Sequence, residues 1–564
     1  MTKKVKESNL AVVVTSADDL KYLREEYKDA VFLAIDYSIL QEDINENIIP
    51  FLIDSDPKYI FFDIARDIAS KWYRDKYGAD YMCGELSMGI AIEKRVGFIV
   101  SNFIRYFSSL EYWLQKFDKI IVPSNIPEEL KKPFLCFPNQ VDIIDSRNPY
   151  CSQLVSLVGR AKVSKVFIHK LSSFAYRIQS ILMHKKVQGK ILCFPDWTYE
   201  NQRNKEFIYL NSKNISNGFY LRDDKRCVDV NTIIDSIDKK LAYSSVAGVI
   251  KSSRFRINSP VFINGIVDLI GDVYCDSKSN LIQIFRVYKN LVADYNPKAI
   301  IIPATLQPAF TMLMQISIQA KVPTLVIIDG FPTYIDKYDF PIEGLGSKTL
   351  VRNFAAMGDI GASLFDRCSL PSMNIININP PLLDNFDSSC KRSVIYDAVI
   401  MMPYPNIANP NSRPDRKYKQ VIDVIECLIK LRIDRIAIKV KQGRCESETM
   451  NTMKLILDRN NYNVDILNGN MSDVICSSER IVGQLGTTIV ESIYSKTPFY
   501  VYEPYENGVS DTDIDNSILY NQFIARNMET LKYNLVNYKC VLIDDKVIQS
   551  STKMSSIDFN SLIV

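Results

Sequence analysis

Histidine is nearly absent from this chain of 564 residues, which carries only His169 and His184, each beside a lysine. None of the twelve cysteines forms a C-x-x-C pair, so a zinc site of the usual ligand spacing is excluded. Several cysteines stand in apolar runs, such as Cys193 in ILCFPD, where a free thiol packs as a small hydrophobe. That usage implies a reducing compartment. Excess charge is also missing: 68 basic and 65 acidic side chains leave a net charge of +3, which argues against an electrostatic nucleic-acid binder. No run approaches the ~20 apolar residues needed to span a bilayer. The basic N-terminus, MTKKVKESNL, leads into an apolar stretch too short for a signal peptide. The expectation is a cytoplasmic protein, soluble or at most peripheral at the inner membrane.

What is present is an ordinary globular composition, 47% hydrophobic and 24% charged, in a chain too long for one core. Short β-branched runs alternate with longer amphipathic stretches. Strands are predicted at LAVVVT (10–15), AVFLAID (30–36), YIFFDI (59–64), KIIVPS (119–124), KVFIHK (165–170) and KILCFP (190–195). Further strands are predicted at AIIIPA (299–304), TLVIIDG (324–330), VIMMPY (399–404), RIAIKVK (435–441), VDILN (464–468), RIVGQLG (480–486) and FYVYEP (499–504). Most are continuous apolar runs, the mark of parallel strands buried on both faces, with helical segments such as KQVIDVIECLIKL (419–431) between them. The alternation predicts α/β, doubly wound sheets. The aromatic-rich run YFSSLEYWLQKF (106–117) has helical spacing and reads as core.

The Pro380-Pro381 stretch divides an N-terminal domain, residues 1–380, from a C-terminal domain, residues 381–545. A softer break falls near 150, the segment 197–260 reads as polar and irregular, and residues 546–564 form a tail placed to pack back on the N-terminal domain.

Chemistry concentrates at 473–504. Strand RIVGQ runs into Gly486-Thr487-Thr488, and a helix opens with IVESIYS. A glycine there lets a ligand approach the backbone, and two hydroxyls with helix N-terminal amides suit a nucleotide phosphate. Glu491, one turn in, is placed for a ribose or base. The same residues equally describe a plain N-cap, with Glu491 completing a capping box. Upstream, a strand ends in Lys439, Lys441 and Arg444, with Gln442 between them, as a phosphate-facing strand end would. Asp329-Gly330, after TLVII, is a candidate general base or nucleophile, or a simple turn. Asp196, after ILCFP, is a candidate for acceptor binding or catalysis, although a turn or cap aspartate is the commoner role.

In order along the chain, AKVPTLVIIDG, MGDIGASLFDRCSLPSMNIININPPLLD, IAIKVKQGR and SDVICSSERIVGQLGTTIVESIYSKTPFYVY resemble bacterial GT-B glycosyltransferases of surface-polysaccharide assembly. The likeness is greatest to the CMP-sugar group of sialyltransferases, polysialyltransferases and Kdo transferases, and it spans roughly 300–505. It implies a GT-B-like fold, two Rossmann-like domains facing a central cleft, with the donor nucleotide on the C-terminal domain. Asp329-Gly330 matches the group's acidic-Gly motif, which supplies the catalytic carboxylate, and Thr487-Thr488 matches the Ser/Thr pair that holds the CMP phosphate. Where the group carries His-Pro, this chain has KVKQGR, so Lys441, Gln442 or Arg444 stands in, or the donor is not a CMP-sugar.

The resemblance thus implies transfer of a CMP-activated 2-keto sugar acid to a glycan or lipid-linked glycan, in capsule, O-antigen or lipooligosaccharide synthesis. A UDP- or dTDP-hexose donor is the second reading, a CDP-glycerol-type polymerase a third, and a non-catalytic GT-B-shaped assembly protein the reading from another class. A sugar-nucleotide epimerase fits less well for want of histidines. No D-x-D motif lies near these positions, so no metal and no further cofactor is expected.

Overall fold

The computed structural model describes residues 9–15, 17–35, 48–53, 60–74, 81–83, 86–126, 128–145, 191–193, 215–217, 236–253, 257, 259–303, 308–327, 349–359, 361–362, 373–378, 393–402, 414–441, 446–504, 523–538, 540–541 and 561–562. They form α/β layers around three parallel sheets. The first sheet comes from β1 (Leu10–Val14), α1 (Ala17–Glu26), β2 (Val31–Ala34), β3 (Ile48–Pro50), α2 (Ile60–Lys71), the short antiparallel pair β4 (Met82–Cys83) and β5 (Leu86–Ser87), α3 (Met88–Leu114), β6 (Lys119–Pro123), α4 (Glu128–Leu135) and β7 (Val141–Ile144). Its order is β3-β2-β1-β6-β7.

A second sheet follows from β8 (Ile191–Cys193), β9 (Ile215–Asn217), α5 (Lys239–Ser252), α6 (Pro260–Tyr295), β10 (Ala299–Pro303), α7 (Pro308–Gln319), β11 (Thr324–Ile327), β12 (Asn353–Met357) and β13 (Asn374–Ile378). Its order is β13-β12-β11-β10-β8-β9. The polar residues in NFAAM and NIINI hide these two strands from a hydrophobicity reading. In the fold they bond across the sheet: the fully buried Asn353 amide donates to the Thr324 carbonyl at 3.0 Å, and Asn374 donates to Asn353 Oδ1 at 3.2 Å.

The third sheet is built from β14 (Ala398–Met401), α8 (Pro414–Lys430), β15 (Ile436–Lys439), α9 (Glu446–Asn460), β16 (Asp465–Leu467), α10 (Met471–Cys476), β17 (Ile481–Gly483), α11 (Thr488–Tyr494), β18 (Phe499–Tyr502), β19 (Ile524–Ala525) and α12 (Met528–Val536). Its order is β16-β15-β14-β17-β18-β19, all parallel. Counted within the sheet this is 3-2-1-4-5-6, the Rossmann order.

Helix α3 joins the first two sheets. It is buried nearly all round, charged Glu93, Arg95 and Arg105 included, and its length of about 40 Å reaches two cores. Its first half packs with α2, α5, α6, α7 and one face of the second sheet (Ile300, Ile302, Phe354). Its last turns, through Leu110 and Trp113, belong to the core of the first sheet, where Trp113 Nε1 donates to the Phe51 carbonyl at 2.7 Å. The third unit is tied in by α11: Ile489 lies in the C-terminal core, while Val490 is buried in the cluster around α3 and α6. Leu562, near the C-terminus, is buried against the other face of the second sheet with Ile301, Leu325 and Ile378.

Three expectations are corrected. From Ile60 on, the predicted strand YIFFDI is instead the start of a helix, because the buried residues Ile64, Ala65, Ile68, Ala69 and Trp72 recur at helical spacing. The segment 197–260 is not irregular throughout: α5 is capped by Asp238 and buries Ala242, Val246, Val249 and Ile250 along one stripe. Free thiols are found at Cys136, Cys275, Cys427 and Cys540, but Cys476 is disulfide-bonded. The strand predicted at 165–170 lies outside the described residues.

The start of α3 packs against the turn that follows α2 through Gly89, where an added Cβ would run into the Tyr73 ring. Gly89→Ala is therefore expected to destabilise the fold by about 1–3 kcal/mol, the usual cost of overpacking. A thermal melt that matches wild type would refute this packing account.

Candidate functional site

In a doubly wound sheet ligands bind outside the carboxyl ends of the strands, at the point where the strand order reverses. In the third sheet that point lies between β14 and β17. Two glycines frame the turn leaving β17, and they answer to different constraints. A Cβ on Gly483 would come within 2.9 Å of the Phe499 ring and 3.0 Å of Met401 Cβ, so neighbouring strands require glycine there. A Cβ on Gly486 would meet nothing within 4 Å, and its backbone is not in the left-handed region. No described group of the chain requires glycine at 486. It leaves room beside the backbone.

After Gly486 the chain turns into α11. Thr487 has helical dihedrals and its side chain makes no capping bond, so the first turn is held by backbone contacts, Ile489 N to Gly486 O at 3.1 Å and Val490 N to Thr487 O at 3.0 Å. The N–H groups of Gly486 and Thr488 have no acceptor among the described residues. Glu491 is buried, at 2% exposure.

Polar side chains that the sequence reading did not single out converge on the same turn. Lys417, in the first turns of α8, donates to Gln484 Oε1 at 3.0 Å. Gln484 Nε2 donates to Gln420 Oε1 at 2.8 Å, and Gln420 Nε2 to the Tyr502 carbonyl at 2.8 Å. The buried Glu503 accepts from the Leu485 N–H at 3.2 Å, and Arg526 donates to the Glu503 carbonyl at 2.7 Å. Burial pushes the Lys417 ammonium below the ordinary lysine pKa, and the charge of Glu503 opposes that shift without cancelling it. The cue available in sequence was positional: the helix after the first strand of a doubly wound block opens at the carboxyl edge.

Of the residues proposed from sequence, Gly486, Thr487, Thr488 and Glu491 share this turn and helix. Lys439 ends β15 opposite Met401 on β14, but its side chain is turned into the protein, 3% exposed, and Nζ donates to the Val440 carbonyl at 2.7 Å. Lys441 is exposed. Asp196, Asp329, Gln442 and Arg444 lie outside the described residues. Among the described residues no cluster of three or more His, Cys, Asp or Glu could hold a metal ion, and no helix is long and apolar enough to cross a membrane.

No family model matches the chain, and no curated protein matches it. Among solved structures it is similar to the UDP-GlcNAc 2-epimerase of Methanocaldococcus jannaschii, at 11% identity over 63% of this chain and 96% of that one, with a TM-score of 0.35. The UDP-GlcNAc 2-epimerase of Neisseria meningitidis bound to UDP-GlcNAc aligns at 11% identity over 62% and 92%, with a TM-score of 0.35. The pneumococcal O-GlcNAc transferase GtfA in complex with UDP and GlcNAc aligns at 13% over 45% and 52%, with a TM-score of 0.29. At these scores the likeness carries no argument for a shared reaction.

The Lys417 shift has a consequence for stability. A lysine whose folded pKa is lowered is penalised in its charged form; the penalty is full at pH values below the folded pKa and disappears as pH rises towards the ordinary value of 10.5. Lys417→Met should thus leave the melting temperature of the ligand-free protein at pH 7 unchanged or higher, with the gap to wild type closing at high pH. A clear drop at pH 7 would mean that the Gln484 bond outweighs the burial cost.

Proposed function

We propose that this chain is a nucleotide-sugar-dependent glycosyltransferase whose donor nucleotide lies in the crevice between β14 and β17, against the Gly486 turn. The observation that carries the reading is Gly486 itself: a glycine at the carboxyl edge of a Rossmann-ordered sheet, at the reversal of strand order, with open space where a side chain would stand. Thr487 and Thr488 contribute hydroxyls to the phosphate end, and Glu491 stays with the ribose side. The KVKQGR strand end lacks the His-Pro of CMP-sugar enzymes, which favours a UDP- or dTDP-hexose over a CMP-linked 2-keto sugar acid. Catalysis falls to a carboxylate from the second sheet's side. In the chain Asp196 follows the end of β8 and Asp329 the end of β11. Either is suited to serve as base or nucleophile at the anomeric carbon. The acceptor in this reading is a glycan or lipid-linked glycan, handled at the inner face of the membrane.

The test is thermal-shift and calorimetric titration of the purified protein with UDP, dTDP, UMP, CDP and CMP. A ligand at 100 times its Kd stabilises the folded state by about 2.7 kcal/mol. UDP or dTDP should raise the melting point, and Gly486→Val, whose new atoms point into open space, should fold normally and lose the effect. Selective binding of CMP would restore the 2-keto sugar acid donor. No response to any nucleotide would contradict the reading and leave the non-catalytic assembly role.

A further inference from the structure

A lysine ammonium has three N–H donors and carries a full charge, and in folded proteins a cation withdrawn from water is normally paired with a carboxylate. Lys417 is half-buried at the sheet edge, yet among the described residues its ammonium has one hydrogen-bond acceptor, the neutral Gln484 Oε1, and no carboxylate within 4 Å. Glu503, the acid whose charge it feels, is engaged with the Leu485 N–H. The neighbouring lysine on the same helix behaves differently: Lys419 is exposed and paired with Asp423 at 2.7 Å. So α8 presents a satisfied lysine to solvent and an unsatisfied one to the sheet edge. Gln484 and Gln420 hold it there, since their amides form a chain that ends on the Tyr502 carbonyl and fixes which way the Gln484 oxygen points.

We propose that Lys417 is the cationic contact for the phosphate of the donor nucleotide, with Gln484, Gln420 and Glu503 as positioning residues that aim it and shape the Leu485–Gly486 turn. The inference rests on the reading of the crevice as a nucleotide-sugar site, and it adds the residue that recognises the anion. Two spare donors of the ammonium would meet phosphate oxygens, giving the charge-assisted bonds that the described protein groups leave unmade. The lack of a direct ion pair fits that role: a paired lysine would have to break it before accepting the ligand.

The test compares UDP with uridine, the same base and sugar without phosphate, by calorimetry on the full chain. Lys417→Met should weaken UDP by tenfold or more and leave uridine within twofold, while Lys417→Arg retains part of the UDP affinity. Lys419→Met, on the exposed face, should change neither. An unchanged ligand-free melting temperature shows that Lys417→Met has folded; should it melt early, Lys417→Gln carries the same comparison. UDP affinity within twofold of wild type in the Lys417 variants, with binding still abolished by Gly486→Val, would overturn the Lys417 assignment and spare the nucleotide site. Wild-type protein that binds neither UDP nor any other nucleotide would overturn both.

Discussion

A parallel sheet forces each strand to be followed by a crossover, and a right-handed crossover fixes the face on which its helix lies. Where the chain leaves the first strand to one side and later returns to the other, the two helices part at the carboxyl edge and a crevice opens between them. In the third sheet this constraint acts at β14 and β17, with α8 leaving one strand and α11 the other. The positions of Gly486, of the amides that follow it and of Lys417 in the first turns of α8 all follow from that reversal. Binding chemistry here is a product of topology before it is a product of side chains.

The first sheet has the same reversal, between β1 and β6, and meets it differently. There Asp19 accepts hydrogen bonds from Thr15 at 2.5 Å and from Asn125 at 3.1 Å, so the two strand ends are joined by the chain's own groups and an acid is matched by donors. At the third sheet the Lys417 ammonium has no carboxylate within 4 Å among the described residues, beside a glycine that nothing in its described surroundings requires. Among the described residues one reversal is closed and the other leaves donors unmatched, which is why only the second is assigned to a ligand. Helix α11 adds a mechanical link, because Val490 is buried in the core around α3 and α6 a few residues after the Gly486 turn. A ligand at the turn thus presses on a helix that packs in both the C-terminal core and the core around α3 and α6.

Most of the third sheet was legible in the sequence, because VIMM, IAIK, RIVG and FYVY are apolar runs that only a sheet buried on both faces would use. The Gly486-Thr487-Thr488 turn was legible for the same reason, since it stands where such a run meets a helical pattern. Lys417 was not. Among Arg416, Lys417 and Lys419 it reads as part of a solvated basic stretch, and only the seating of α8 over Gln484 separates it from its neighbours. Glu503 was absorbed into the end of a strand, FYVYEP, although its carboxylate serves the turn of another strand. Conversely Lys439, conspicuous at a strand end, is buried against its own backbone. Local pattern locates elements; which charge faces the crevice is decided by contacts between residues about 65 to 80 apart in the chain.

Photo-crosslinking with a UDP analogue bearing a short reactive group on the base or the diphosphate, followed by peptide mapping, tests the central claim most directly. The account predicts label on peptides from the start of α8, around 414–420, and from the 484–491 turn and helix, competed away by unmodified UDP. Label confined to peptides of the first sheet, or spread without competition, would contradict it.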